Sequence, residues 1–221
     1  MKYHWRKLAK LLPPYLERKV YESYFKKQHV LWEANGRNLP PSHLLKQQAL
    51  LDLAQRYELS ILVETGTFMG DMIYALYPYF KKLYSIELSE HYHQQATRRF
   101  ALVKKVNLIL GDSAEKLNII VPQLEQPALF WLDGHYSGGD TALGAKECPV
   151  YEELAAIFSS TENHIIVIDD ARLFVGKNDY PTLEALRSFV LQHWPEASIS
   201  IENDSIRIIK FKNNYVQSRH Y

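Results

Sequence analysis

Seven residues, Glu64 to Gly70 (ETGTFMG), join an apolar run at Ser60 to Val63 to a helix-like stretch at Asp71 to Phe80. A strand that ends in an acid and breaks into two glycines lets a ligand lie against bare backbone where the next helix begins. The spacing is ExGxxxG, whereas a dinucleotide loop reads GxGxxG and places a pyrophosphate over the helix N-terminus. An acid beside the turn repels phosphates but accepts a hydrogen bond from an ammonium group, directly or through water. The loop therefore favours a zwitterionic or cationic ligand, the bland alternative being a tight turn that needs Gly66 for its backbone alone.

Acids recur at the ends of the other apolar runs. Glu87 lies in YSIEL, Asp112 follows LILG, Asp133 ends FWLD, and Asp169 with Asp170 ends IIVIDD. In an open α/β sheet, ligands bind beyond the carboxyl ends of the strands, so acids placed there are candidates for function. A single such acid is often a helix cap, and Asp112 or Ser113 can cap the helix that follows. If the first two strands are neighbours, Glu87 sits beside the glycine loop, where its carboxylate can accept both hydroxyl protons of a ribose. Asp112, Ser113 and Ala114, one strand further out, can contact a base.

The elements that must position these groups follow from periodicity. Leu44, Leu45, Ala49, Leu50, Leu53, Ala54 and Tyr57 recur at steps mainly of three and four residues, an amphipathic helix leading into the first strand. Strands are expected at Ser60–Glu64, Leu83–Leu88, Asn107–Gly111, Ala128–Asp133 and His164–Asp169, with helices near 70–80, 90–103, 114–124 and 148–159. Continuous apolar strands such as IIVI alternating with helices indicate a parallel sheet covered on both faces. A helix at about 181–194 precedes runs at Ser198–Glu202 and Ser205–Phe211, which meet at Asn203 and Asp204 in a tight hairpin, so the last strand runs antiparallel to its neighbour.

With 221 residues, 47% of them hydrophobic, the chain can bury one large core, read as a domain at 43–221 with a helical basic extension at 1–42. A formal charge of +1 gives no electrostatic reason to expect nucleic acid. Cys148 is the only cysteine, which excludes an intrachain disulfide and a cysteine-based zinc site. No apolar stretch approaches the roughly 20 residues of a membrane span, and the N-terminus lacks a secretory core, so a cytoplasmic protein is expected. Residues 1–30 interleave Lys2, Arg6, Lys7, Lys10, Arg18, Lys19, Lys26 and Lys27 with aromatic and leucine residues. Such an arm can rest on an anionic lipid surface or a partner, or present a solvated basic face while its aromatics pack on the main domain.

The acid and glycine loop, the acid ending the second strand and the GD pair ending the third together resemble the class I S-adenosylmethionine-dependent methyltransferase family, over residues 45–211. The resemblance implies an α/β, Rossmann-like methyltransferase fold: a seven-stranded, mostly parallel sheet with an antiparallel last strand and helices on both faces. It implies that Glu64, Gly66, Thr67 and Gly70 hold the methionine moiety, Glu87 the ribose, and Asp112, Ser113 and Ala114 the adenine, with Asp133 also beside the cofactor.

The second half carries the reaction. FWLDGHYSGGDTALG, Phe130 to Gly144, packs acids, a histidine and glycines after a buried strand. Neighbouring strands lie about 4.8 Å apart, so the ends of the fourth and fifth can converge on one cation. Asp133, Asp169 and Asp170 are hard oxygen ligands of the kind magnesium prefers, and such an ion lowers the pKa of a bound hydroxyl and aligns it for attack on the sulfonium methyl. The arrangement is similar to the metal-dependent small-molecule O-methyltransferases of the catechol type and the macrolide or aminocoumarin sugar type. The sugar type has DGD and a tyrosine after its fourth strand; here DGHY places Asp133 as metal ligand and His135 as general base. The catechol enzymes carry a lysine after that acid, and this loop has none. Without a metal, Asp133 can orient the substrate and Asp170 can pair with Arg172.

His91 and His93, two residues apart on a helix, share no face and are assigned no metal. Tyr136, Tyr151, Phe174 and Tyr180 can shape an acceptor pocket or belong to the core. The reading is O-methyl transfer to a small-molecule hydroxyl, best a sugar or glycan-linked one. Its competitors are a metal-independent methyltransferase using His135, an NAD-dependent oxidoreductase, and a non-catalytic S-adenosylmethionine-binding module. The oligomeric state is not readable from the sequence.

Overall fold

Every second residue of the central strands is apolar on one face of a sheet and every other residue on the opposite face, so two cores form from one set of strands. The computed structural model describes residues 14–134 and 148–210. Contacts divide the chain into two compact units, Met1–Ala49 and Leu50–Tyr221, a division that falls inside a helix rather than at the 42/43 boundary expected from the sequence. In the first unit, α1 (Pro14–Ala34) is followed by the start of α2 (His43–Arg56). Phe25 stacks on His43 with ring centroids 4.6 Å apart, and His29 Nδ1 lies 2.6 Å from Ser42 Oγ. Lys19, Lys26 and Lys27 are exposed, which keeps a basic face on α1. Lys2, Arg6, Lys7 and Lys10 lie outside the described residues.

The second unit runs β1 (Ile61–Thr65), α3 (Asp71–Leu76), β2 (Lys82–Glu87), α4 (Glu90–Phe100), β3 (Val106–Leu110), α5 (Ser113–Ile120), β4 (Leu129–Leu132), α6 (Val150–Phe158), β5 (Ile165–Ile168), α7 (Leu183–His193), β6 (Ser198–Glu202) and β7 (Ser205–Ile209). Single 3-10 turns at Val121–Gln123 and Ala171–Leu173 complete it. The seven strands lie in the order β3-β2-β1-β4-β5-β7-β6. β3, β2, β1, β4 and β5 pair in parallel, and β7 is antiparallel to both β5 and β6. This is the expected doubly wound sheet with an antiparallel last strand. The hairpin turn also holds: Asn203 and Asp204 both have positive φ, 51° and 59°, as a two-residue type I′ turn requires.

Leu62, Leu83, Leu129, Trp131, Ile165 and Val167 face one core with the end of α2, α3 and α4. Ile61, Val63, Tyr84, Ile86, Phe130, Leu132, Ile166 and Ile168 face the other with α5, α6 and α7. Parity assigns the polar strand ends as well: Glu64 lies on the first face with Leu62, and Thr65 on the second with Val63. Among the described residues no helix is long and apolar enough to cross a membrane.

At the far end of the sheet His164 joins β4 to β5. Its Nδ1 accepts the Ala128 N–H at 3.1 Å and its Nε2 lies 2.9 Å from Ser160 Oγ, an arrangement for the neutral ring. Burial, with Lys210 nearby, lowers its pKa from 6.5 to about 4. As pH falls below 6.5 the unfolded chain takes up this proton first, so stability drops through pH 4 and then levels. Urea titrations should show the native protein losing on the order of 3 kcal/mol more than a His164→Asn variant between pH 7 and pH 4.

Candidate functional site

β1 and β4 are neighbours, but the chain leaves β1 towards β2 on one side and reaches β4 on the other. The strand order reverses between them, the place where an open α/β sheet leaves a crevice beyond the strand ends. Gly66 sits at this point with φ +83°, and a Cβ there would lie 2.4 Å from the Asp133 carbonyl oxygen. No side chain fits against that backbone. Asp133 N–H donates to Thr65 O at 3.1 Å, and Gly66 N–H donates to Ile86 O at 2.9 Å, tying the loop to both neighbouring strands. Gly70, φ +70°, precedes α3 and lies so close to the Phe100 ring that a Cβ would come within 2.9 Å of it. Arg99 Nη1 donates to Met69 O and, at 3.0 Å, to Asp71 Oδ1, clamping the end of the loop to α4.

Glu64 is 1% exposed. Its register partner across the β1–β2 pair is Ser85, whose hydroxyl donates to Glu64 Oε2. Thr67 Oγ1 lies 2.5 Å from Ser85 Oγ and supplies the next hydrogen in the chain. One hydroxyl does not replace the water lost on burial. Burial, then the nearby Glu87 and Asp71 charges, raises the Glu64 pKa from 4.5 to about 8 against the lowering effect of Ser85.

Glu87, 6% exposed, is held differently. Oε2 accepts the Phe68 N–H at 2.7 Å and Oε1 the Ser89 N–H at 2.8 Å, so both oxygens are oriented and each keeps a lone pair. Asp112 caps α5, with Oδ1 accepting the Ala114 N–H at 2.9 Å, and Ser113 and Ala114 form the half-buried first residues of that helix. Glu64, Glu87 and Asp112 thus end three adjacent strands, or immediately follow them, in the order β1, β2, β3.

Across the reversal, one oxygen from each of Asp133, Asp169 and Asp170 lies within 4.8 Å of the others. Asp169 is buried, and Asp170 is turned by a left-handed backbone, φ 54°. Asp170 Oδ1 also accepts from Arg172 Nη1 at 2.8 Å, and the same guanidinium pairs with Asp204 of the β6–β7 turn. Three carboxylate oxygens on one side, with one carboxyl shared by an arginine, suit a hard divalent cation that keeps other ligands free. His135 and Tyr136 lie outside the described residues. Phe174 and Tyr180 are buried core rings in edge contact at 5.4 Å, and Tyr151 packs on Phe189.

Two groups at the site were not anticipated from the sequence. Ser85 is a hydroxyl in the middle of a buried strand, and Glu153 is a fully buried acid on the apolar face of α6. Polar residues that interrupt the periods used to find β2 and α6 were the available signal.

No protein-family model matches the chain, and no curated protein matches its sequence. Solved structures match its fold. The Podospora anserina methyltransferase PaMTH1, bound to SAH, aligns at 17% identity over 94% of this chain and 86% of that one, TM-score 0.55. The O-methyltransferase from Bacillus cereus in complex with SAH aligns at 15% identity over 85% and 90%, TM-score 0.57. TomG, the O-methyltransferase of Streptomyces achromogenes involved in tomaymycin synthesis, in complex with SAM, aligns at 16% over 86% and 89%, TM-score 0.55. The chain has the Rossmann-like methyltransferase fold.

Gly66→Ala should lower stability by about 2–4 kcal/mol in chemical unfolding, because it adds a backbone clash to a left-handed φ. Glu64→Gln is isosteric with the protonated acid. The native protein should lose stability as pH rises from 4.5 through 8, where the unfolded chain has already released the Glu64 proton, and the variant should show a flatter profile over that window.

Proposed function

We propose that the protein transfers a methyl group from S-adenosylmethionine to a hydroxyl oxygen of a small molecule, with a sugar or glycan-linked hydroxyl as the preferred acceptor class. One observation carries this reading: acids end β1 and β2 and follow β3 on one side of the crevice, while an acid triad follows β4 and β5 on the other. The first set suits a cationic nucleoside and the second an oxygen nucleophile. Similar folds that bind SAM or SAH, two of them O-methyltransferases, support it.

In this reading Gly66, Thr67 and Gly70 give the methionine moiety close access to backbone, and Glu64 accepts its ammonium group, which restores the carboxylate that burial suppresses. Glu87 takes the ribose hydroxyls on the lone pairs left by Phe68 and Ser89. Asp112, Ser113 and Ala114 border the adenine. Asp133, Asp169 and Asp170 would hold a divalent metal such as magnesium. That ion would supply Lewis acidity to the acceptor hydroxyl. His135 is the group that takes the hydroxyl proton as the methyl moves. Asp133 and the fold position the acceptor for in-line approach.

The pairing of Asp170 with Arg172 favours a second version, a metal-independent transfer in which His135 acts alone. Chelation separates the two. With EDTA the metal-dependent enzyme should lose its turnover and regain it with magnesium, and Asp169→Asn should lower kcat by about 100-fold or more. Turnover unchanged by EDTA and by Asp169→Asn would eliminate the metal. Calorimetry tests the donor itself: the protein should bind S-adenosylhomocysteine and not NAD, and Glu64→Gln should weaken S-adenosylmethionine binding by ~10-fold.

A further inference from the structure

α6 presents an apolar stripe to the sheet through Val150, Leu154 and Ile157, all fully buried, and Glu153 stands within that stripe with no exposure. An acid at such a position is costly unless its oxygens are paired. The carboxyl points to the strand ends: Oε1 lies 3.5 Å from where a Gly134 Cβ would be, and Thr65 Oγ1 lies 3.1 Å from the same point. The hydroxyls of Ser113 and Thr65 face it and favour its ionised form, while burial and the Asp112 and Glu152 charges act in the other direction and bring its pKa from 4.5 to about 7. Neither Glu153 oxygen, nor Thr65 Oγ1, closes a hydrogen bond of ordinary geometry among the described residues.

A methionine in its place would fill similar volume without burying a carboxyl. The residue breaks the local rule of its own helix with no gain in packing, which is where function is to be sought. Three segments meet at this carboxyl: the end of β1 just before Gly66, the backbone after Asp133, and the first residue of α5. They flank the β1/β4 reversal, where an open α/β sheet binds its ligands.

We propose that Glu153 is a positioning residue, which braces Thr65, Gly134 and Ser113 together and so sets the width of the cradle that receives the nucleoside of the methyl donor. The inference rests on the methyl-donor reading above. Glu153 has no exposed surface and acts only through the residues it braces.

The test uses the full chain, calorimetry with S-adenosylhomocysteine and thermal unfolding. Glu153→Met should unfold at the native temperature or above, yet bind about tenfold more weakly and raise KM for S-adenosylmethionine more than it lowers kcat. Glu153→Gln, which retains a donor and an acceptor, should stay within about threefold of the native Kd. A native Kd in Glu153→Met, whatever its unfolding temperature, overturns the proposal. Thr65→Val removes the facing hydroxyl without changing shape and tests the same contact independently: a rise of about threefold or more in Kd at unchanged unfolding temperature is expected, and an unchanged Kd overturns the role. Absence of binding by the native protein would instead bring down the methyl-donor reading itself.

Discussion

The site depends on one close approach, where the backbone leaving β1 passes against the backbone leaving β4. Gly66 tolerates this because it has no Cβ; any other residue would place a carbon 2.4 Å from the Asp133 carbonyl oxygen. The Asp133 N–H to Thr65 carbonyl bond then joins the two strand ends. The strand order reverses at this pair, where an open α/β sheet leaves a crevice beyond the strand ends. The acids of β1, β2 and β3 lie on one side of that contact and those of β4 and β5 on the other, and Arg99 ties the far end of the loop to α4.

Carboxyls gather at this end of the sheet, and each is held differently. Glu87 receives two backbone N–H groups. Glu64 receives a single serine hydroxyl and is pushed towards its neutral form. Asp170 shares a guanidinium with Asp204, which draws the β6–β7 turn to the end of β5. Glu153 faces hydroxyls without closing an ordinary bond to them. Burial holds Glu64 and Glu153 short of full ionisation.

Most of the fold was legible because it follows from period alone. Apolar runs of four or five residues between amphipathic segments specify parallel strands with covered faces, and the elements found lie within a few residues of those expected. The Asn203–Asp204 turn was legible because these residue types tolerate positive φ. The ends of elements were less so: α3 stops at Leu76, four residues short of the apolar pattern's end, and the strands shift by about one residue. The sequence placed a boundary between residues 42 and 43, and the division by contacts falls at Ala49–Leu50.

For the site, the sequence determined which acids stand at strand ends and that the glycine spacing after β1 departs from the dinucleotide loop, because both are read from residue type and spacing. It also carried the resemblance through which the methyltransferase fold was expected. Only the tertiary structure decided how each acid is held. Ser85 meets Glu64 through register between strands 21 residues apart in the chain, and Glu153 reaches Thr65 and Ser113 from a helix on the opposite face of the sheet from Glu64. Hydrogen bonding and desolvation of a buried carboxyl depend on neighbours that packing supplies, and no local pattern of residues encodes them.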